Sequence, residues 1–503
     1  MSKFLCRIGI LLISSFVLLS CNKDDDDNYD PNKNITSFVF SAEINNLKDD
    51  ITGSINQNER TIRIETLDWI ENIEKLKPTF VSQGTVKIGN IEQVSSETEN
   101  SFKQDVVYTI TDQSGAALTY TVSLVSPQTS GLPVIIIDIE EDEEITEKKD
   151  EYNNANIKVI DENPEYCFEK ATGIRGRGNS TWGYPKKPWR LKFDKKTSMF
   201  GLGAEKSWVL LANYLDPTVL MNDIAFETGH RLGLEFTNHS IHVELFMNGT
   251  YRGNYQLTEQ VQVNKNRVNI DEDEGFLLEL DDYFDEEWKF YSDILKLPVM
   301  VKSPELTNEA GMGFIKKAVN DLENAMYANN FPNSGYRDLI DVESLINFML
   351  VNDFVGNREI RHPKSLYMYR DKGAGSKIHL GPLWDFDWGF GYAEYGHIYF
   401  NNIEVLFTPG KDEPAGYEFF SRFLDDPQFK AEYKARWNEI KTTQLSTLTQ
   451  YIDNMSAKLE KSQYLNYKRW TNYQQLEFKD EINKMKNWIV QRINILDAEI
   501  SKM

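Results

Sequence analysis

Residues 350–392, LVNDFVGNREIRHPKSLYMYRDKGAGSKIHLGPLWDFDWGFGY, constrain the fold of this chain more than any other stretch. Asp341 stands where it can N-cap a helix whose apolar residues Leu345, Ile346, Phe348, Met349 and Val351 recur at helical spacing, and Gly356 can close it. SLYMYR alternates and is aromatic, as strands are, Asp371, Gly373 and Gly375 mark a turn, and KIHLGPLW returns as a second strand. Such a hairpin carries acids at both ends: Glu359 before the first strand, and Asp385 and Asp387 in WDFDWGFG after the second. A carboxylate in so apolar a setting is costly to bury unless it holds a cation or a proton. Two loops of one hairpin can converge on a divalent metal, and Mg²⁺ is commonly held by one or two carboxylates plus substrate phosphate.

Two further stretches add detail. In GIRGRGNSTWGYPKKPWRLKF, residues 173–193, Arg175 and Arg177 alternate, and Gly178, Asn179 and Ser180 make a turn whose amides and hydroxyls could face phosphate. It is not a Walker loop, which needs a GK[ST] ending. WRLKF also alternates, so Arg190 and Lys192 share the face opposite Leu191. HVELFMNGTYRGNYQLTEQV is a hairpin with an Asn248-Gly249 turn.

Taken in this order, RGRGNSTW…KPWRLKF, NGTYRGNYQLTEQV and HPKSLYMY…GPLWDFDWGFG resemble the CotH (spore-coat protein H) kinase family over about residues 134–500. The resemblance implies an atypical kinase that takes ATP and Mg²⁺ and a protein hydroxyl acceptor. It assigns Asp385 as the DFG-like metal residue, with Asp387 a second metal ligand or a structural acid. Lys192 becomes the nucleotide-phosphate lysine, Glu227 its partner on a helix over residues 219–234, and Arg177 and Arg190 further nucleotide contacts. The family's catalytic Asp falls on Glu359, and its Asn-like second metal ligand on Ser365. Both are departures. The extra methylene of Glu moves its oxygen by about an ångström, a misplacement that can cost about 10²-fold. An inactive pseudokinase scaffold is therefore the alternative, with a glycoside hydrolase built on paired carboxylates third. The latter needs carboxyls about 5–5.5 Å or 6.5–9.5 Å apart, with aromatics such as Trp384 and Trp388 stacking on sugar.

The N-terminus bears on compartment. Lys3 and Arg7 precede IGILLISSFVLL, which is too short for an ordinary spanning helix and reads as a signal-peptide core. LLSC resembles a lipoprotein cleavage box, so residues 1–20 are expected to be removed and Cys21 lipidated. Residues 21–35 read as a disordered acidic tether, and the Lys-Asp-Asp pattern beside Cys21 resembles the export signal of surface lipoproteins of some Gram-negative bacteria. The expectation is an exported chain on the outer membrane, facing outward, with membrane contact through its lipid alone. A formal charge of −23 argues against nucleic acid as a partner. Cys167, without a nearby His, reads as a packing residue.

The fold class expected is multidomain. Residues 36–128 alternate apolar and polar residues between turn signals in about seven short strands, an immunoglobulin-like sandwich. Residues 134–503 follow as an α+β kinase-like domain whose last part, from 425, is two or three long amphipathic helices with Trp488, Ile489, Ile493 and Leu496 as a packing stripe. His230 reads as a helix-end residue. Glu279, Asp281 and Asp282 read as a solvated acidic loop that could alternatively hold a cation.

Overall fold

The computed structural model describes residues 34–140, 144–148, 150–393, 398–401, 403–473 and 475–503. Cys21, the signal segment and nearly all of the expected tether lie outside the described residues. The chain divides into two compact units, one holding residues 70–124 and those up to Glu65, the other Thr66–Trp69 and Val125–Met503.

The first unit is all-β from Ile35 onward, with nine strands where about seven are expected from the pattern, and one short helix, Ala42–Asn45. Its strands form a three-stranded and a six-stranded sheet. Alternation does the folding work: in Val106–Thr111 and Ala117–Val125, Tyr108, Ile110, Tyr120 and Val122 all point into one core with Phe38, Phe40, Ile62 and Ile64.

The second unit begins with a closed seven-stranded barrel. Around it run Val134–Ile139, Asn153–Ile160, Phe168–Gly176, Trp189–Thr197, Glu205–Leu211, Thr250–Glu259 and Ser240–Met247, and the last pairs in parallel with the first. Ile135, Ile157, Ile174, Leu191, Trp208 and Leu257 fill its interior. Residues between these on each strand face outward, and at one end they wall a cleft.

A five-stranded antiparallel sheet follows, in the order Lys289–Tyr291, Pro298–Ser303, Phe276–Leu280, Leu366–Arg370, His379–Leu380. The helix Val342–Val355 is capped by Asp341, whose Oδ1 accepts the Ser344 amide at 2.8 Å, and Gly356 closes it at φ 63°. Every residue from Leu345 to Val355 is buried, Asn347, Asn352 and Asp353 included. It is therefore a central helix with neighbours on all sides rather than an amphipathic one. Three long helices end the unit, Pro427–Thr442, Leu448–Arg469 and Phe478–Lys502, with Trp488, Ile489 and Leu496 buried. Cys167 corrects the packing expectation. It is exposed, at a turn where its Sγ accepts the Asp161 amide.

Gly416, in the helix Ala415–Phe423, lies against the chain just after Glu359, and a Cβ there would press into the carbonyl oxygen of Ile360. A Gly→Ala change inside a helix ordinarily stabilises by about 1 kcal/mol. Here we expect Gly416→Ala to destabilise by about 1–3 kcal/mol, because backbone cannot step aside as a side chain can. Urea unfolding measures this, and a more stable variant would refute the contact.

Candidate functional site

A cleft of about 690 Å³ opens between one end of the barrel and the five-stranded sheet. Of the residues singled out from sequence, it brings together Glu359, Asp385, Asp387, Ser365, Arg177 and Arg190, and leaves out Lys192 and Glu227.

The acidic side is built first. Asn357 accepts the Glu359 amide at 3.1 Å and is itself tied to Asn352 by a 3.0 Å bond from its Nδ2, which fixes the short turn Arg358–Ile360. Glu359 is 5% exposed and its Oε2 has no hydrogen-bond partner among the described residues. Burial pushes its carboxyl up to about 9, with Asp385 adding to the shift and Lys364 opposing it. Burial likewise holds Asp387 well above the ordinary carboxylate range, reinforced by Asp385, Glu359 and a hydrogen bond with Asp385. Asp385 has φ 61°, a left-handed conformation. The loop around it is tied down by amide bonds from Gly389 to Phe386 O (3.0 Å), Arg358 to Trp388 O (3.2 Å) and Phe390 to Val355 O (2.6 Å).

Asp281 also belongs to this side, in place of the solvated loop expected from sequence. It is 5% exposed, accepts the Ser365 amide at 3.0 Å and the Tyr283 amide at 2.8 Å, and is raised to about 6 by burial and Glu279. Asp216 lines the cleft too, raised by burial to about 6 while it accepts the Met221 amide at the start of the helix Met221–Leu232. Alternation and turn signals do not reveal either acid, since both lie in loops whose course depends on distant contacts.

The opposite side is cationic. Arg175 is paired with Asp150 at 2.9 Å, whereas Arg177 and Arg190 form no ion pair among the described residues. Burial works against the charge of both, and Asp385 supports that of Arg177, whose guanidinium lies 5.2 Å from the Trp384 ring centre. Lys186, not singled out from sequence, is 1% exposed in the cleft wall, donates to Asn466 Oδ1 at 3.1 Å and to Asn254 O at 2.5 Å, and is lowered by burial to about 7. Lys302 is bonded to Glu279 at 3.1 Å and to Glu286.

Lys192 is exposed, with its ammonium 5.5 Å from the Tyr152 ring centre, and Glu227 pairs with Arg231 at 2.7 Å. The pairing of Lys192 with Glu227 expected from the resemblance is thus not formed. His230 ends its helix as expected and contacts Asn238 O at 3.0 Å. Among the described residues, no group of three or more His, Cys, Asp or Glu side chains is arranged to hold a metal ion. A metal here would need ligands beyond protein carboxylates, as Mg²⁺ has when it bridges to phosphate.

The comparisons with known proteins agree with this division. The CotH kinase protein family matches residues 174–496, and the family described as SGBP, N-terminal, matches residues 35–124. No curated protein matches the chain. The first match spans well over half of the sequence and takes in all of the cleft lining except Lys148 and Asp150. The chain belongs to the CotH kinase protein family.

Proposed function

We propose, from its membership of the CotH kinase protein family and from the cleft, that this chain transfers the γ-phosphoryl group of ATP to a Ser, Thr or Tyr hydroxyl of a protein. One observation carries the reading: two half-buried arginines without ion-pair partners among the described residues, Arg177 and Arg190, share a cleft with three mutually repelling carboxyls, Glu359, Asp385 and Asp387. A triphosphate satisfies the first set and a divalent cation the second, so the residues present fit Mg²⁺–ATP. A neutral sugar would satisfy neither, which ranks the glycosidase reading last.

In this reading Arg177 and Arg190 neutralise phosphate oxygens, the part played by a single lysine in ordinary kinases. Asp385 and Asp387 hold the cation, and Asp281 lines the same cleft. Mg²⁺, when bound, supplies charge neutralisation of the phosphates. Glu359 is the residue placed to receive the acceptor's proton. One observation favours a binding-only pseudokinase as second reading: with its carboxyl pushed to about 9, Glu359 is protonated at neutral pH and cannot act as a base until a cation or the acceptor changes its surroundings. The proposal includes a kinase-like fold for residues 134–503, an immunoglobulin-like spacer before it, and display at the cell surface by lipid on Cys21. No helix among the described residues is long and apolar enough to cross a membrane.

The test is calorimetric titration of the purified chain with ATP, with Mg²⁺ and then with EDTA. Metal-dependent binding is expected, and a folded chain that binds nothing would end both the kinase and the nucleotide-binding pseudokinase readings. Binding without phosphate transfer to an added protein panel would select the second reading.

A further inference from the structure

We infer that Asn222 is a positioning residue for Asp385, and that one stripe of the helix Met221–Leu232 sets the geometry of the acid loop. The inference rests on the metal-holding role proposed for Asp385.

Asp385 is left-handed at φ 61°, a conformation uncommon for a residue with a Cβ, though Asp and Asn enter it more readily than others. The peptide that follows it ends in the amide of Phe386, and that N–H donates to Asn222 Oδ1 at 3.1 Å. Asn222 is 6% exposed and Phe386 1%, so no water competes for this bond. An Asn at the start of a helix ordinarily caps that helix. Here Leu220 occupies the cap position and Asp216 takes the first amide, that of Met221, which leaves the Asn222 side chain free for another segment. Its orientation is fixed from behind: Nδ2 donates to Asn213 Oδ1 at 3.3 Å, and Asn213 donates in turn to Gln256 Oε1 at 2.9 Å. The acceptor end is thereby turned to the loop.

Two more residues of the same stripe touch the same four-residue segment. Phe226 meets Phe386 edge-on, ring centres 6.3 Å apart. Gly229 lies so near Leu383 that a Cβ there would press into its Cδ1 and stand 3.0 Å from Thr237 Oγ1. Positions 222, 226 and 229 are spaced i, i+4, i+7, one face over two turns. The helix therefore reaches residues 383–386 by a hydrogen bond, a ring contact and a close approach. A shift of the helix along this face moves the Asp385 peptide with it.

The test uses Asn222→Ala and Asn222→Asp in the full chain. Hydrogen exchange over 383–390, measured without metal or nucleotide, should speed up about tenfold at Phe386 in N222A, the loss of one buried bond. Exchange in N222D should fall between N222A and wild type, because the acceptor oxygen remains while the Nδ2 bond to Asn213 is lost. In Mg²⁺ titrations with ATP present, N222A should raise the half-saturating Mg²⁺ concentration about tenfold. Gly229→Ala, should N222A fold poorly, disturbs the same stripe with Asn222 intact and should give both effects. A Phe386 amide as protected in N222A as in wild type overturns the inference, as does an unchanged Mg²⁺ dependence in a chain whose loop has loosened. If wild type binds no Mg²⁺–ATP, the functional reading fails by itself, and the exchange measurement still decides whether Asn222 holds the Asp385 peptide.

Discussion

Asp385→Asn is expected to weaken Mg²⁺-dependent ATP binding by about 100-fold or more and, in the metal-free chain, to raise the melting temperature. Asn is the right replacement because it tolerates the left-handed backbone of residue 385 while removing the charge. The two effects have one cause. Glu359 is pushed up to about 9 by burial and then by Asp385, and Asp387 is raised by burial, Asp385 and Glu359. A carboxyl whose folded value exceeds its unfolded value, about 4.3 for Glu, keeps its proton in the folded chain at pH values where the unfolded chain has lost it. Its contribution to stability is present below about pH 4.3 and is lost progressively as pH rises towards about 9. Removing the Asp385 charge lowers the folded value of Glu359 and shortens that window. Melting curves in EDTA from pH 5 to 9 should therefore fall less steeply for D385N than for wild type. Parallel curves would show that the three acids do not share a field. Lower stability at every pH would show that Asp385 is a structural acid rather than a charge held ready for a cation.

How much of this was legible beforehand follows from the range of the forces involved. The caps at Asp341 and Gly356, the Asn248-Gly249 hairpin and the alternation of SLYMYR are local, and each reads directly from residues within one turn or one strand pair. The convergence of Glu359, Asp385 and Asp387 was legible because both ends of one hairpin carry it. Lys192 shows the limit. Alternation puts Arg190 and Lys192 on one face, but a face is not a position. Arg190 pairs across to Arg175 at the cleft end of the barrel, while Lys192 pairs to Gly173 two residues further along and stands over Tyr152. Strand register along a closed barrel is set by pairing that no single strand contains. Glu227 had Arg231 at i+4 as a ready partner, and helical spacing alone does not choose between that pair and a distant lysine. Lys186 and Asn222 belong to the site through contacts with residues that are remote in sequence, Asn466 and Phe386.

Arg492→Met is expected to cost about 3–5 kcal/mol of stability, the range found when one partner of a buried ion pair is removed. Arg492 lies on the last helix, fully buried, with Nη2 at 2.7 Å from Asp353 Oδ1, Nε donating to Asp353 O at 2.9 Å and Nη1 to Glu404 O at 2.5 Å. Asp353 is on the central helix and also accepts the Leu406 amide at 2.9 Å. Burial raises the Asp353 carboxyl, and Arg492 is the first influence opposing it. Without the guanidinium the folded value rises further above the unfolded one, about 3.9. R492M should then lose stability increasingly as pH climbs above that value. Asp353→Asn added to R492M leaves no unpaired charge and should recover more than half of the loss, a coupling that a double-mutant cycle in urea reads directly. The same clamp reaches the cleft. Trp488, one turn before Arg492, packs on Phe390 at 5.6 Å between ring centres and covers Gly356, where a Cβ would come within 3.5 Å of its ring. Gly356 ends the helix that leads to Glu359, and Phe390 ends the acid loop. Loosening the last helix should therefore weaken Mg²⁺–ATP binding along with stability, although no atom of Arg492 lines the cleft. A cost below about 1 kcal/mol, with the pH dependence unchanged, would mean that the pair is no more than a surface-grade contact.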